Sequence, residues 1–150
     1  MGAIAVLGAT GTIGSAVARR LVRHGHRLIL VGRNEDRLAA LSGELDQPFA
    51  AADLSNSQRF EVQLQEVAQT TDGLQGIVNC VGSLLLKPAH STSDEEFRQV
   101  VETNLFTSFS AVRVGARLMR EQGGSIVLFA SAAAEVGIHN HEAIAAAKAG

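Results

Sequence analysis

The stretch Gly8-Ala9-Thr10-Gly11-Thr12-Ile13-Gly14 decides the fold of this 150-residue chain. It follows directly on the apolar run of residues 3–7, and it opens a segment in which Ile13, Val17 and Leu21 recur at four-residue intervals. The run predicts a buried strand, and the spacing predicts an amphipathic helix with these positions in the core. A glycine-rich loop between a strand and a helix start is the setting in which such a loop binds dinucleotide phosphates.

The glycines of this loop have separate physical roles. Gly8 permits a tight turn, Gly11 lets the backbone approach a pyrophosphate, and Gly14 permits close packing of the helix against the strand. The free N–H groups at the helix N-terminus then face the phosphates, where the helix dipole favours negative charge. The predicted cofactor contacts of the loop are Gly8, Thr10, Gly11, Thr12, Ile13 and Gly14.

Short apolar runs alternate with helical segments along the whole chain. The predicted strands are residues 3–7, 28–31, 49–52, 76–79 and 125–130. Each run is mostly apolar rather than alternating, as is typical of strands that are covered on both faces. The alternation predicts an α/β fold with a Rossmann-type, doubly wound parallel sheet in a single domain, residues 1–150. An Ala-rich helical segment, 142–149, ends the sequence without a following strand, so we expect the domain to be incomplete at its C-terminus.

A long helix is predicted for residues 93–120. It begins at a capping box, Ser93 with Glu96, and its apolar positions are Phe97, Val100, Val101, Leu105, Val112 and Met119. A continuous helix of this length spans about 40 Å at 1.5 Å per residue, which is longer than one crossover needs. It is either a subunit-packing surface of a homo-oligomer or a long surface helix.

Composition excludes several functional classes. The chain is 46% hydrophobic and 19% charged with a formal net charge of -2, so it has no basic excess for nucleic acid or an anionic membrane. The single cysteine, Cys80, cannot form an intramolecular disulfide and suits the cytoplasm. His139, His141 and Glu142 do not complete a His-Glu-x-x-His zinc pattern, because Ala145 stands where the second ligand belongs, and we expect no metal site.

The end of the second strand indicates which dinucleotide is bound. NAD-binding proteins place an acidic residue about 20 residues after the glycines to accept from the ribose 2'-hydroxyl, whereas an arginine accommodates a 2'-phosphate. This chain has Arg33 followed by Asn34 there, and Gly32 leaves room. The acids that follow, Glu35 and Asp36, fall in the next helix start, where they suit the dipole. The sequence therefore favours NADP(H) over NAD(H).

Further landmarks together resemble the short-chain dehydrogenase/reductase family over essentially the whole chain. The glycine loop resembles the family's cofactor loop, with Thr12 in place of the usual glycine before Ile-Gly. The resemblance implies that Asp53, with Leu54, contacts the adenine, and that the segment Asn79-Cys80-Val81-Gly82 lines the cofactor. It implies a proton-relay role for Asn104 and a catalytic role for Ser131. The implied cofactor contacts are Asp53, Leu54, Asn79, Val81, Gly82 and Lys148.

The family reaction transfers a hydride between nicotinamide and a carbonyl or alcohol carbon of a small-molecule substrate. A tyrosine moves the proton, and a lysine four residues later lowers the pKa of that tyrosine. Lys148 matches the lysine, but Ile144 stands at the tyrosine position, and the chain contains no tyrosine. His141, three residues before Ile144, is either a substitute acid or an exposed loop residue.

These residues leave three readings open. The chain is an NADP-dependent oxidoreductase with an altered proton donor, or a non-catalytic NADP(H)-binding sensor or regulatory protein. As a third reading it is a truncated fragment of a longer family member, which is compatible with either.

Overall fold

The apolar runs form one parallel sheet in the computed structural model, which describes residues 2–150. The strands are β1 (Ala3–Leu7), β2 (Leu28–Gly32), β3 (Phe49–Ala51), β4 (Leu74–Asn79) and β5 (Ser125–Leu128). Their spatial order is β3-β2-β1-β4-β5, and every pairing is parallel. The predicted Rossmann-type sheet is confirmed.

Helices follow the strands and cover both faces of the sheet. They are α1 (Thr12–Arg23), α2 (Glu35–Leu45), α3 (Ser57–Ala68), α4 (Asp94–Val101), α5 (Thr107–Leu118) and α6 (Glu142–Ala149). Two of them begin at asparagines whose side chains accept a backbone N–H: Asn34 accepts from Arg37, and Asn56 accepts from Arg59. This cap satisfies one of the donors that a helix start leaves free.

The hydrophobic core lies on both sides of the central strands. Alternate residues of β1 and β2, such as Leu7 and Ile29, pack with α3 and α5, while Val6 and Leu30 pack with α1 and α2. This double coverage explains why the sequence of these strands is apolar throughout.

The order of the strands creates a crevice at their carboxyl ends. The chain passes from β1 outward through β2 to β3, and then crosses to β4 on the other side of β1. The loops after β1 and β4 therefore leave the sheet in opposite directions, and open α/β sheets bind ligands at such a point. The β1–β4 register shifts between Ala3 and Ile4 and is continuous from Ile4 to this edge, where Leu7 pairs with Asn79.

The predicted continuous helix of residues 93–120 is interrupted. The Ser93–Glu96 capping box is present, but a π-helical turn, Glu102–Phe106, separates α4 from α5. The side-chain amide of Asn104 donates to the carbonyl of Val100 at 2.9 Å. This side chain therefore competes with the backbone N–H groups of the helix for that carbonyl. A side chain that inserts into the ladder in this way is a recognised cause of an irregular turn.

One predicted core position and two apolar positions of the predicted 93–120 helix are exposed. Ile13 is 56% exposed because it lies in the first turn of α1, on the side away from the sheet, and Phe97 and Val112 are also exposed. β5 departs from the expectation that strands are covered on both faces: it is one of the two edge strands of the described sheet, and Val127 is 48% exposed. Among residues 2–150, no helix combines the length and the apolar character needed to span a bilayer.

Candidate functional site

The glycine loop is held in one conformation by close backbone contacts. Gly8 has a φ of +71°, which L side chains rarely adopt, and a Cβ on it would lie 3.1 Å from the backbone nitrogen of Val81 in the segment after β4. A Cβ on Gly14 would lie 2.1 Å from the carbonyl oxygen of Gly8. Gly11 caps α1 without any side-chain hydrogen bond. The start of α1 therefore meets the crevice through backbone alone, which is the arrangement that binds phosphate at a helix N-terminus.

A first cavity of about 450 Å³ opens from this loop along the carboxyl edge of the sheet. The loops after β1, β2, β3 and β4 form its floor, and one face of α4, the π-helical turn and α5 forms its wall. It is lined by Gly8, Thr10, Gly11, Gly32, Arg33, Arg37, Ala52, Asp53, Leu54, Ser55, Cys80, Val81, Gly82, Gln99, Glu102, Thr103 and Thr107. The volume falls in the range of small-molecule and cofactor sites.

Two arginines lie where the cavity meets β2 and α2. Arg33 follows β2 and is exposed, and Gly32 before it leaves open space, since a Cβ there would come no closer than 3.6 Å to any atom. Arg37 donates through Nη2 to the carbonyl oxygen of Thr10 at 2.5 Å. None of the five ion pairs formed within residues 2–150 involves either arginine. Their positive charge is therefore available to an anion.

Asp53 and Asn79 occupy different places relative to the cavity. Asp53 lines it, and its Oδ1 accepts from the backbone N–H of Ser55 at 3.0 Å. Asn79 is buried behind the wall, where its Oδ1 accepts from the N–H of Val81 at 3.1 Å and its Nδ2 donates to Ser108 at 3.2 Å. Asn79 thus shapes the loop after β4 rather than facing the cavity.

Asn104 and Lys148 meet at Gly82, at the inner end of the first cavity. The buried Asn104 accepts from the N–H of Ser83 at 3.1 Å, and a Cβ on Gly82 would lie 3.1 Å from its Oδ1 and 3.6 Å from the Nζ of Lys148. The Lys148 ammonium donates to the carbonyl oxygen of Phe129 at 3.1 Å. Partial burial lowers the pKa of Lys148 from its usual value.

A second cavity, of about 340 Å³, lies beyond this point on the side of β5 and α6. Apart from Asn104, Ser108 and Lys148, its lining is apolar side chains and backbone. It is lined by Asn104, Leu105, Ser108, Phe109, Val112, Leu128, Phe129, Ala130, Ala147, Lys148, Ala149 and Gly150. Asn104 and Lys148 therefore lie between the first cavity and this mainly apolar one.

The remaining sequence-predicted catalytic positions are not brought into either cavity. The hydroxyl of Ser131 accepts from the N–H of Ala133 at 3.2 Å and begins a short 3-10 turn. Ile144 is only 3% exposed and packs in a cluster with Val100 and Ala133. His141 precedes α6 and its Nδ1 lies 2.8 Å from the carbonyl oxygen of His139. Thr12, Ile13, Gly14 and Asn34 likewise do not line the first cavity in the described part of the chain.

Sequence reasoning missed part of the cavity wall. Cys80, which is not among the predicted cofactor contacts, lines the cavity, and burial raises the pKa of its thiol to about 11. Gln99, Thr103 and Thr107 recur at four-residue intervals, and this polar stripe is the signal that could have identified them. Arg37 had no comparable signal, because its role depends on the direction of a side chain.

The residues present fit a dinucleotide. A side chain on Gly14 is excluded by backbone, Gly32 leaves space, and two arginines without ion pairs face the cavity. Such a site can hold a pyrophosphate on the helix start and a further phosphate on the arginines. Within residues 2–150, no three His, Cys, Asp or Glu side chains are grouped so that they could hold a metal ion.

Comparison with known proteins gives consistent matches. The model of the family described as short chain dehydrogenase matches residues 2–150. A 3beta-hydroxysteroid dehydrogenase of Mediterraneibacter gnavus is 32% identical over 149 residues, which are 95% of this chain and 54% of that protein. An NADP-dependent 3-hydroxy acid dehydrogenase of Salmonella typhi is 35% identical over 104 residues, which are 67% of this chain and 42% of that protein.

A solved structure agrees in fold with nearly the whole of this chain. The crystal structure of serine dehydrogenase from Escherichia coli superposes with a TM-score of 0.90 at 29% identity, covering 97% of this chain and 69% of that one. The chain spans about half the length of the curated relatives that it matches.

Proposed function

The chain belongs to the short-chain dehydrogenase family, and from that premise we propose that it is an NADP-dependent oxidoreductase acting on a carbonyl or alcohol substrate. The observation that carries the proposal is the first cavity, which joins a glycine loop closed by the Gly14–Gly8 contact to Arg33 at the end of β2. A pyrophosphate on the loop and a 2'-phosphate on Arg33 would then lie at opposite ends of the adenosine half of the cofactor.

We assign the residues that line the first cavity to parts of the cofactor. Asp53 and Leu54 border the adenine position, and Val81 and Gly82 border the nicotinamide end. Asn79 supports this wall through its bond to the N–H of Val81. The NADP-dependent 3-hydroxy acid dehydrogenase among the relatives supports the preference for NADP(H).

The bound nicotinamide supplies or accepts the hydride, and the chain's own residues bind and orient the substrate oxygen beside it. We assign the hydroxyl of Ser131 to donate to that oxygen, which it can do while its own oxygen accepts from the N–H of Ala133. Asn104 and Lys148 border the same end of the cavity, where the ammonium would stabilise the negative charge that develops on the substrate oxygen in reduction. Because the chain has no tyrosine, the proton that completes the alcohol would come from water. Two relatives are named for substrates with a hydroxyl group, which supports an alcohol or ketone substrate class.

The second candidate function is binding of NADP(H) without turnover, as a sensor or regulatory protein. Ile144 favours it, because this apolar side chain stands at the position of the family's acid and is buried in a hydrophobic cluster. General acid catalysis typically contributes about 10²- to 10⁴-fold in rate, so a site without it reduces carbonyls slowly or not at all.

Titration of the chain with NADPH and NADH tests the shared part of both candidates. We expect NADPH to bind at least about 10-fold more tightly, the size of one charge-assisted contact. The chain has no tryptophan or tyrosine, so the fluorescence of the bound nicotinamide is measured without energy transfer from those residues. Equal affinities would contradict the assignment of Arg33.

Turnover on a panel of ketones and aldehydes separates the two candidates. The oxidoreductase is expected to oxidise NADPH in the presence of at least one ketone, and Ser131→Ala is expected to lower kcat by about 10-fold or more while NADPH affinity stays within about twofold. Absence of turnover across the panel, with NADPH bound, favours the non-catalytic candidate. Unchanged turnover in Ser131→Ala would remove that residue from the proposed site.

A further inference from the structure

Among residues 2–150, Arg37 is the arginine whose side chain both bonds to the glycine loop and lines the first cavity. It is the third residue of α2, and its backbone N–H donates to the Asn34 cap at 2.8 Å. Its side chain turns back to donate to the carbonyl oxygen of Thr10 at 2.5 Å, and it lines the first cavity together with Arg33. One side chain thus contacts the loop that receives the pyrophosphate and faces the region of Arg33.

We propose that Arg37 is a positioning and specificity-determining residue that couples recognition of the 2'-phosphate to the conformation of the glycine loop. The inference rests on the proposed function, since it requires NADP(H) as the ligand. A guanidinium carries five N–H donors in a rigid, planar fork, so it can keep its bond to Thr10 and still offer donors to a phosphate.

The local charge supports a role for Arg37 toward an anion. Arg37 takes part in none of the five ion pairs within residues 2–150, whereas Arg19, which faces the same surface hollow between α1 and α2, forms a bidentate pair with Glu44 at 2.7 and 2.8 Å. That pair holds α1 and α2 together without using Arg37. The Arg19–Glu44 pair between the helices and the Arg37–Thr10 bond to the loop therefore involve different arginines.

The backbone of the loop explains why a bond to Thr10 matters for binding. Thr10 lies between Gly8, with its positive φ, and Gly11, which caps α1. The N–H of Gly11 donates to the oxygen of Gly8 at 2.9 Å, so the peptide units of this turn are oriented together. Fixing the Thr10 carbonyl outward, on Arg37, orders the loop before the pyrophosphate arrives and lowers the entropic cost of binding.

The structure provides a matched control at Arg59. Arg59 is also the third residue of its helix, and its backbone N–H donates to the Asn56 cap at 3.1 Å, as that of Arg37 does to Asn34. Arg59 does not line the first cavity within the described residues. Arg59→Met therefore removes an exposed arginine from an equivalent helical position without touching the loop.

The test measures NADPH and NADH dissociation constants by calorimetry for the wild-type chain and four variants. Arg33→Met is expected to weaken NADPH by about 10-fold or more and NADH by less than about twofold, because it removes only the phosphate contact. Arg37→Met is expected to lower NADH affinity by about 3- to 10-fold, because the loop loses its bond to the guanidinium. It is expected to lower NADPH affinity by at least about 10-fold more than NADH affinity, because the positive charge is also lost. Arg59→Met is expected to change neither.

Arg37→Lys separates the two contributions and keeps the charge. We expect it to retain the NADPH-to-NADH affinity ratio to within about threefold while losing part of the NADH affinity, because an ammonium lacks the fork that reaches both groups. Melting curves without ligand establish that each variant is folded. A structural effect on folding alone would weaken both cofactors equally and leave the ratio unchanged.

Each outcome counts for or against the proposal. Unchanged NADH affinity in Arg37→Met overturns the positioning role, and an unchanged affinity ratio overturns the specificity role. If the wild type prefers NADPH and this preference survives Arg37→Met, only the inference about Arg37 fails. If the wild type does not prefer NADPH, the proposed cofactor choice fails and the inference fails with it.

Discussion

The two ends of the candidate site are built in different ways. The nucleotide side, formed by the first cavity and the glycine loop 8–14, is fixed by backbone contacts such as the close approach of Gly14 to Gly8. The β5–α6 side, residues 125–150 with the second cavity, consists of an exposed edge strand and a short helix packed through a small cluster around Ile144. The comparison teaches that the proposed cofactor binding and the proposed chemistry rest on separate parts of the chain, so variants can be chosen that affect one side alone.

A buried polar network is the connection between the two sides. Asn79 donates to Ser108 at 3.2 Å, Ser108 donates to the backbone carbonyl of Asn104 at 2.8 Å, and the side chain of Asn104 holds the N–H of Ser83. These bonds join the loop after β4 to the π-helical turn. Buried polar groups are costly unless they are paired, so this network ties the wall shared by the two cavities to one geometry.

The largest expected effect breaks the nucleotide side at Gly14. Gly14→Ala puts a Cβ 2.1 Å from the oxygen of Gly8, so either α1 or the loop has to move. We expect NADPH affinity to fall by at least about 100-fold, since the loop geometry is lost, and the melting temperature to fall as well. Gly43→Ala in α2 is the control: its Cβ would meet no atom within 4 Å, and it should stabilise the fold by about 0.5–1 kcal/mol. Wild-type affinity in Gly14→Ala would contradict the assignment of the loop.

The next effect is confined to the β5–α6 side. Ile144→Ala removes a side chain that is 3% exposed from the cluster that joins α6 to α4, and we expect it to lower the free energy of unfolding by about 2–5 kcal/mol. NADPH affinity, measured at a temperature where the variant is folded, should stay within about threefold of wild type because no cofactor contact is lost. A large loss of affinity would mean that the two sides are not separate.

Ile144→Tyr sharpens the same comparison through chemistry. The larger side chain is expected to cost about 1–3 kcal/mol in stability, because the cluster is already packed. If Ser131 and Lys148 still border a functional site, turnover with NADPH and a ketone should rise by about 10-fold or more over wild type. Ile144→Phe, with the same ring and no hydroxyl, is the control, and an equal rate in both variants would show that no proton donor was restored.

A smaller, pH-dependent effect arises where the β4–α4 loop contacts the β5–α6 side. Hydrogen bonds from the Lys87 ammonium and, to a smaller extent, from the N–H of Ser93 lower the pKa of Glu96 to about 2. The backbone N–H of Lys87 donates to the carbonyl of Asn140, just before α6. A pKa depressed in the folded state stabilises the fold above the unfolded pKa of about 4.5, and this stabilisation is lost as the pH falls toward 2. The difference in melting temperature between wild type and Glu96→Gln should therefore shrink from pH 6 to pH 2.5. Glu95→Gln, in the same turn, controls for the loss of one acidic charge.

The last prediction concerns the rate at which the thiol of Cys80, in the wall of the first cavity, is alkylated. Burial raises the pKa of Cys80 to about 11, so at pH 8 the thiol is almost entirely protonated. Because the thiolate is the nucleophile, alkylation by iodoacetamide at pH 8 should be at least about 10-fold slower than that of glutathione. Saturating NADPH should slow it further, since Cys80 lines the cavity. Alkylation as fast as that of free thiol would contradict this environment.

The sequence predicts the nucleotide side better than the β5–α6 side for a physical reason. The loop 8–14, Arg33 and Asp53 follow strands whose apolar pattern is local, and parallel strands bring their carboxyl ends to one edge without further information. Gly14 is an example: its backbone contact with Gly8 depends on residues only six positions away. All five predicted strands are present, with bounds that differ by two residues or fewer.

The errors arise where the outcome depends on side-chain direction or on distant packing. Periodicity assigned Ile13 to the core, but the start of α1 turns this residue away from the sheet. The capping box at Ser93 was visible, whereas the π-helical turn depends on how the amide of Asn104 bonds to Val100 and Ser83. Ser131 is in the expected order along the chain, yet its hydroxyl bonds to its own turn rather than facing a cavity.

The π-helical turn at Glu102–Phe106 adds about one residue to the path of the chain between α4 and α5. Ahead of it, Gln99 and Thr103 line the first cavity, and beyond it Ala111 and Val114 pack in the core against the sheet. The bonds of a π-helical turn run from residue i to residue i+5, so the turn holds about one residue more than the α-helical turn that it replaces. Deleting a single residue within it would therefore let a regular α-helix form while α4 and α5 keep their present faces. The deletion would remove or displace Asn104, whose side chain accepts from the N–H of Ser83 and whose carbonyl accepts from Ser108. The extra residue of this segment thus supports the polar network of the cavity wall rather than the helix itself.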